Sequence, residues 1–103
     1  MNGYQICFLT VQAHRHKGRP VADWLMQVAK EMGLRGGTVI AASEGFGAHG
    51  RLHAAHFFEL TDQPVEVVMV ATEEEADRLF ARIREEGVKV FYTKTPVEFG
   101  ALG

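Results

Sequence analysis

A chain of 103 residues with 47% hydrophobic and 23% charged side chains sits near the globular average and holds enough apolar material for one core, which excludes intrinsic disorder and a multidomain enzyme. Eleven Lys plus Arg against thirteen Asp plus Glu leave a formal net charge of -2, so the chain has no overall field for gripping a nucleic-acid backbone. The lone cysteine, Cys7, has no intramolecular disulfide partner, and between Ile6 and Phe8 it reads as a small buried thiol in a strand, the usage of a reducing cytoplasm. No apolar run approaches the roughly 20 residues of a membrane helix. The opening residues Met1-Asn2-Gly3-Tyr4-Gln5 lack the charged start of a signal peptide, so the expectation is a single cytoplasmic domain spanning residues 1–103.

Residues 3–12 put Tyr4, Ile6 and Phe8 on one face and Cys7, Leu9 and Val11 on the other, which predicts a central strand buried on both sides. A polar loop over residues 13–19 follows. Pro20 suits a first helical turn, and Val21, Leu25, Val28, Ala29 and Met32 then recur at helical spacing, with Trp24 extending the stripe as core or subunit contact. Gly33 is placed as the left-handed cap and Leu34 as the apolar residue that packs back on the last turn. A second strand is expected in residues 38–43, then a glycine-rich excursion through residues 45–56 and a return through Phe57, Phe58, Glu59 and Leu60. The chain turns at residues 61–64 and enters a third strand at residues 65–71. Thr72 with Glu75 forms a capping box, Ala76, Leu79, Phe80 and Ile83 make the stripe of a second helix, and Gly87 ends it. Residues 88–93 supply a fourth strand before Pro96 and a short tail.

Strand, helix, strand, strand, helix, strand is the order of an α+β ferredoxin-like βαββαβ sandwich, a four-stranded sheet with two helices on one face. We expect the sheet order four-one-three-two, with strands one and two parallel and strands three and four running against them. Loops 13–19, 44–56 and 86–89 then gather at one end of the sheet. Both faces of strands one and three are apolar, so the helix-free face is expected to be covered by oligomerisation.

Gly45-Phe46-Gly47-Ala48-His49-Gly50 matches the pattern GxGxxG, but no helix opens at the third glycine, so a dinucleotide fold is excluded. What remains is a choice between a bulged hairpin and a phosphate cradle of glycine amides, with His49 and Arg51 as side-chain donors. His14, His16, His49, His53 and His56 could supply a divalent-metal site, although no recognised zinc spacing joins them. Nucleophilic catalysis has little support, since Ser43 is the one serine and Cys7 has no identifiable base. Glu85 and Glu86 read as a solvated helix end. Lys89, out of step with Val88 and Val90, is placed on strand four beside the converging loops.

The segments GLRGGTV (33–39), EGFG (44–47), HGRLH (49–53) and LTDQPVEV (60–67) resemble, in order and spacing, the domain of unknown function family 190 (DUF190), part of the PII-like superfamily of trimeric signalling proteins. The resemblance implies a homotrimer with its three sheets facing inward and adenine-nucleotide sites in the clefts between subunits. By position it implies that Thr38, Gly45, Phe46, Gly47, His49, Gly50 and Lys89 line that cleft, with Arg51 beside them. Val88 stands where PII proteins carry a further glycine, the tail after Lys94 has no basic residue, and residues 44–56 have no tyrosine for uridylylation. AMP or ADP is therefore easier to satisfy than ATP. The resulting expectation is a non-catalytic sensor that needs no cofactor and signals to an unidentified partner protein through the 44–56 loop. It binds no nucleic acid and spans no membrane. The alternative is a divalent-metal-binding PII/CutA-like protein using the loop histidines, and a small histidine-dependent enzyme ranks third.

Overall fold

The computed structural model describes residues 1–46, 52–54 and 63–103. In chain order the elements are β1 (Asn2–Val11), β2 (Arg15–His16), β3 (Arg19–Pro20), α1 (Val21–Glu31), β4 (Gly37–Ala41), β5 (Glu44–Phe46), β6 (Leu52–Ala54), β7 (Pro64–Ala71), α2 (Glu73–Glu85) and β8 (Phe91–Glu98). The main sheet has the order β8-β1-β7-β4, the four-one-three-two arrangement expected from the sequence. β1 is antiparallel to both β7 and β8, and β4 is antiparallel to β7, so β1 and β4 run parallel.

Register sorts the side chains onto two unlike faces, because successive residues of a strand point to opposite sides. Ile6 faces Met69 and Phe8 faces Val67, and these four, with Val65 and Ala71, are buried under the helices. From α1 come Val21, Ala22, Trp24, Leu25, Val28 and Ala29, and from α2 Ala76, Leu79 and Ile83. Each fully buried large side chain contributes about 1.5–3 kcal/mol, so this interior holds the fold together.

Both helix ends follow the local chemistry. The Thr72 hydroxyl accepts from the Glu75 amide at 3.2 Å while the Glu75 carboxylate accepts from the Thr72 amide at 2.8 Å. These bonds, with the Arg35 guanidinium at 2.8 Å, hold the Glu75 carboxyl below its ordinary pKa, the Thr72 amide being the largest cause. At the C-termini, Gly33 (φ 78°) and Gly87 (φ 71°) adopt the left-handed conformation that spares a Cβ clash. Leu34 then donates to the Ala29 carbonyl and Val88 to the Ile83 carbonyl, and both side chains pack back on the core.

The other face differs from expectation. Gln5 and Leu9 are exposed and Cys7 is half-buried, so β1 is buried on one side and not on both. Among the described residues no helix covers this face, where Leu9, Ile40 and Phe91 are exposed and Val68 lies between Cys7 and Thr38. The fourth strand also shifts: it begins at Phe91 and continues through Pro96 to Glu98. Val88 and Val90 turn onto the core after the helix cap, which delays pairing, and β8 is an edge strand, where a proline lacking its N–H is tolerated.

The polar loop at residues 13–19 contains a two-stranded hairpin, Arg15 opposite Pro20 and His16 opposite Arg19. Its two-residue turn has Lys17 at φ 53° and Gly18 at φ 77°, the positive-φ pair that matches the twist of the flanking strands. The glycine-rich segment opens as another hairpin, with Glu44 opposite Ala54, Gly45 opposite His53 and Phe46 opposite Leu52. The expected return through Phe57–Leu60 lies outside the described residues.

Candidate functional site

Two of the three loops meet through one carboxylate. Glu86 follows the last turn of α2, where the helix dipole disfavours negative charge, and cations compensate it. His16 Nε2 donates to Glu86 Oε1 at 3.0 Å, the Lys17 ammonium lies 2.9 Å from the same oxygen, and Arg82 Nε donates to Oε2 at 3.2 Å. The His16 ring meets Trp24 edge-on, with centroids 4.8 Å apart. The Lys17 bond, then those of His16 and Arg82, pull the Glu86 carboxyl down to about 2 against the opposing effect of desolvation. Glu86 is thus a half-buried junction and not the solvated helix end its neighbours implied.

The sign of the linkage gives a test. A depressed carboxyl pKa stabilises the fold above the ordinary value of 4.5, and that contribution drains away as pH falls toward about 2. We expect the stability gap between the native chain and Glu86→Gln to be widest near neutrality and to close in acid. A gap of constant size across that range in urea melts would show that the ion pairs are not its source.

The third loop reaches the same end of the sheet by a different route. Gln12 N–H donates to the Gln63 carbonyl at 3.0 Å and Ala42 N–H to the Pro64 carbonyl at 2.9 Å, so the base of the β5–β6 hairpin lies beside the end of β1. Yet it continues from β4, one edge of the sheet, while the 86–89 segment precedes β8, the other edge. Three strand spacings, about 14 Å, separate those edges.

Thr38 is exposed on β4 opposite Val68, on the helix-free face. Gly45 sits in β5 near Pro64, whose ring would meet a Cβ there at 3.5 Å, and Phe46 ends that strand. Lys89 is exposed in the connection between α2 and β8, so its expected place on the fourth strand is corrected, although its alternation with the half-buried Val88 and Val90 holds. Gly47, His49, Gly50, Arg51 and His56 lie outside the described residues, and His53 is placed only by its position in β6.

His14 Nδ1 is hydrogen-bonded to Thr10 Oγ1 at 3.0 Å while His16 is held by Glu86, so the His14-x-His16 pair is divided between different partners. Among the described residues no three His, Cys, Asp or Glu side chains form a group that could hold a metal ion. The Cys7 thiol donates to Glu66 Oε1 at 3.4 Å, and burial first, then that carboxylate, raises its pKa, the opposite of an activated nucleophile.

A groove of about 550 Å³ runs between α1 and β4, lined by Asp23, Met26, Lys30, Arg35 and Val39 among others. Another of about 370 Å³ lies by Asn2, Glu73 and Glu98. Neither contains Lys89, Thr38 or Gly45. What one chain presents is therefore a glycine-bearing hairpin continuing from one sheet edge and a cluster of cationic side chains near the segment that enters the other.

A four-stranded antiparallel sheet with two helices on one face and the other face bare is the fold of PII-like proteins, and solved structures agree. CPII, a nitrogen regulatory PII-like protein from Thiomonas intermedia K12 solved with ADP, AMP and bicarbonate, aligns with a TM-score of 0.72 at 15% identity, covering 98% of this chain and 91% of that one. A protein from Thermus thermophilus, described as PII-like and signaling, aligns at 0.69 with 19% identity over 94% and 88% of the two chains. A UPF0166 protein of Aquifex aeolicus strain VF5 is 32% identical over 76 residues, 73% of this chain and 72% of its own. The DUF190 family, described as "Uncharacterized ACR", matches residues 5–99, and the chain belongs to it. Among the described residues no helix is long and apolar enough to cross a membrane.

Proposed function

We propose that this protein is a non-catalytic, homotrimeric sensor that binds an adenine nucleotide, AMP or ADP in preference to ATP, between adjacent subunits. The observation that carries this reading is the separation of the glycine-bearing hairpin from Lys89. Glycine amides from the 44–56 segment and the Lys89 ammonium belong to opposite edges of one sheet, so they share a phosphate only if neighbouring subunits bring unlike edges together. Packing the three bare sheet faces inward does this while burying Leu9, Ile40, Val68 and Phe91. The binding of ADP and AMP by CPII supports the choice of ligand. Nucleotide binding then changes the fit of the 44–56 segment to a partner protein, which supplies the differential affinity that signalling requires.

The test is calorimetric titration of the metal-stripped protein with AMP, ADP and ATP, alongside its mass in solution. We expect micromolar binding of AMP or ADP at about one per chain, weaker ATP binding, and a species three times the 11.4 kDa chain. Silence toward all three nucleotides would remove the ligand, and a monomer would remove the cleft.

A further inference from the structure

The acidic net charge conceals a basic corner. Residues 12–20 and 82–90 together hold six cationic side chains, Arg15, Lys17, Arg19, Arg82, Arg84 and Lys89, and only two carboxylates, Glu85 and Glu86; the rest of the chain holds five cationic and eleven acidic residues. The fold brings these two segments together, since His16 and Lys17 from the hairpin and Arg82 from α2 all meet on Glu86. The Glu86 charge is thereby neutralised internally, leaving the exposed Glu85 as the opposing carboxylate. Asp23, the acidic residue of the first turn of α1, lines the groove with Lys30 and Arg35.

The hairpin presents its charges outward. Lys17 keeps 69% of its side chain exposed while touching Glu86, Arg15 and Arg19 are exposed, and Arg15 Nη1 braces the turn by donating to the Gly18 carbonyl at 3.0 Å. Lys89 follows Glu86 by three residues, after the turn at Gly87. Residues 95–103 carry no cationic side chain.

We propose that the β2–β3 hairpin is a phosphate-binding element, in which Lys17 and Arg19, assisted by Arg15, receive the terminal phosphate of a nucleoside diphosphate whose other phosphate is held by Lys89. The inference rests on the nucleotide reading for its ligand, but the corner itself selects a diphosphate group and is testable without adenine. Glu86 acts as a positioning residue, fixing the hairpin against the Lys89 segment. Lys17 is shared between Glu86 and the ligand, and its departure leaves Glu86 paired with His16 and Arg82.

The experiment titrates the full chain and the surface variant Lys17→Ala/Arg19→Ala with ADP, AMP, adenosine and inorganic pyrophosphate. Each charge-assisted hydrogen bond lost should weaken binding about tenfold. We expect ADP and pyrophosphate to weaken about tenfold or more in the variant, AMP to weaken less and adenosine not at all. The conservative variant Lys17→Arg/Arg19→Lys should restore most of the loss. Unchanged ADP affinity in the alanine variant would overturn the hairpin assignment while leaving the nucleotide site standing. If the native chain binds no nucleotide, pyrophosphate decides: binding that disappears in the variant keeps the hairpin as an anion site, and no pyrophosphate binding overturns it.

Discussion

Replacing Val68 with aspartate is expected to leave a folded monomer that no longer binds adenine nucleotide. Val68 sits in β7, opposite Cys7 of β1 and Thr38 of β4, on the face that no described helix covers. Its neighbours on that face include Leu9, Ile40 and Phe91, which are 39%, 44% and 66% exposed, a band of apolar surface too regular to be chance. In the proposed trimer every such side chain is buried three times by symmetry, each burial being worth about 1.5–3 kcal/mol, whereas an unpaired interior carboxylate costs several kcal/mol. Glu66, two residues earlier on the same face, adds a like charge. The helix-side core of Ile6, Phe8, Val67 and Met69 is untouched, so circular dichroism should report a native fold. Sedimentation equilibrium reads the outcome directly. A variant that keeps the mass of the native assembly would mean that the bare sheet face is not the interface, and with it the intersubunit site would fall.

Periodicity and end chemistry carried most of the fold. The sheet order followed from strand type and crossover handedness, and the start of α2 and the ends of both helices from a capping box and two glycines, whereas Pro20, expected in the first turn of α1, stands just before it as the N-cap. Features set by distant partners were less legible. Glu86 looks like any surface glutamate beside Glu85, since its partners His16 and Lys17 lie about 70 positions away. A local signal existed nonetheless: a carboxylate at a helix C-terminus opposes the dipole, and Arg82 stands one turn before it. The β2–β3 hairpin was hidden because its turn places a lysine at positive φ, which Asn-Gly would have announced and Lys17-Gly18 does not. Cys7 and Leu9 misled for another reason: an apolar strand face reads alike whether a helix of the same chain or a second subunit covers it. The separation of the β5–β6 hairpin from Lys89 was hidden as well, since it depends on the sheet order and not on any local pattern.

Lys89→Glu is expected to weaken ADP binding by about two orders of magnitude, which corresponds to about 3 kcal/mol. Under the proposed reading the change removes a charge-assisted hydrogen bond to phosphate and sets a like charge in its place. Lys89 is exposed and no hydrogen bond or ion pair holds it among the described residues, so its replacement leaves the fold intact. The loss should be large for both AMP and ADP, which share the phosphate assigned to Lys89, while adenosine stays unaffected. That contrast separates an electrostatic role from a general disturbance of the cleft, which would weaken all three alike. Lys30→Glu makes the same change in net charge from α1, away from the cationic corner, and should leave ADP affinity near the native value. If the two variants bind ADP equally well, the phosphate is not held by Lys89, and the glycine-bearing hairpin would have to bind it with some other cation.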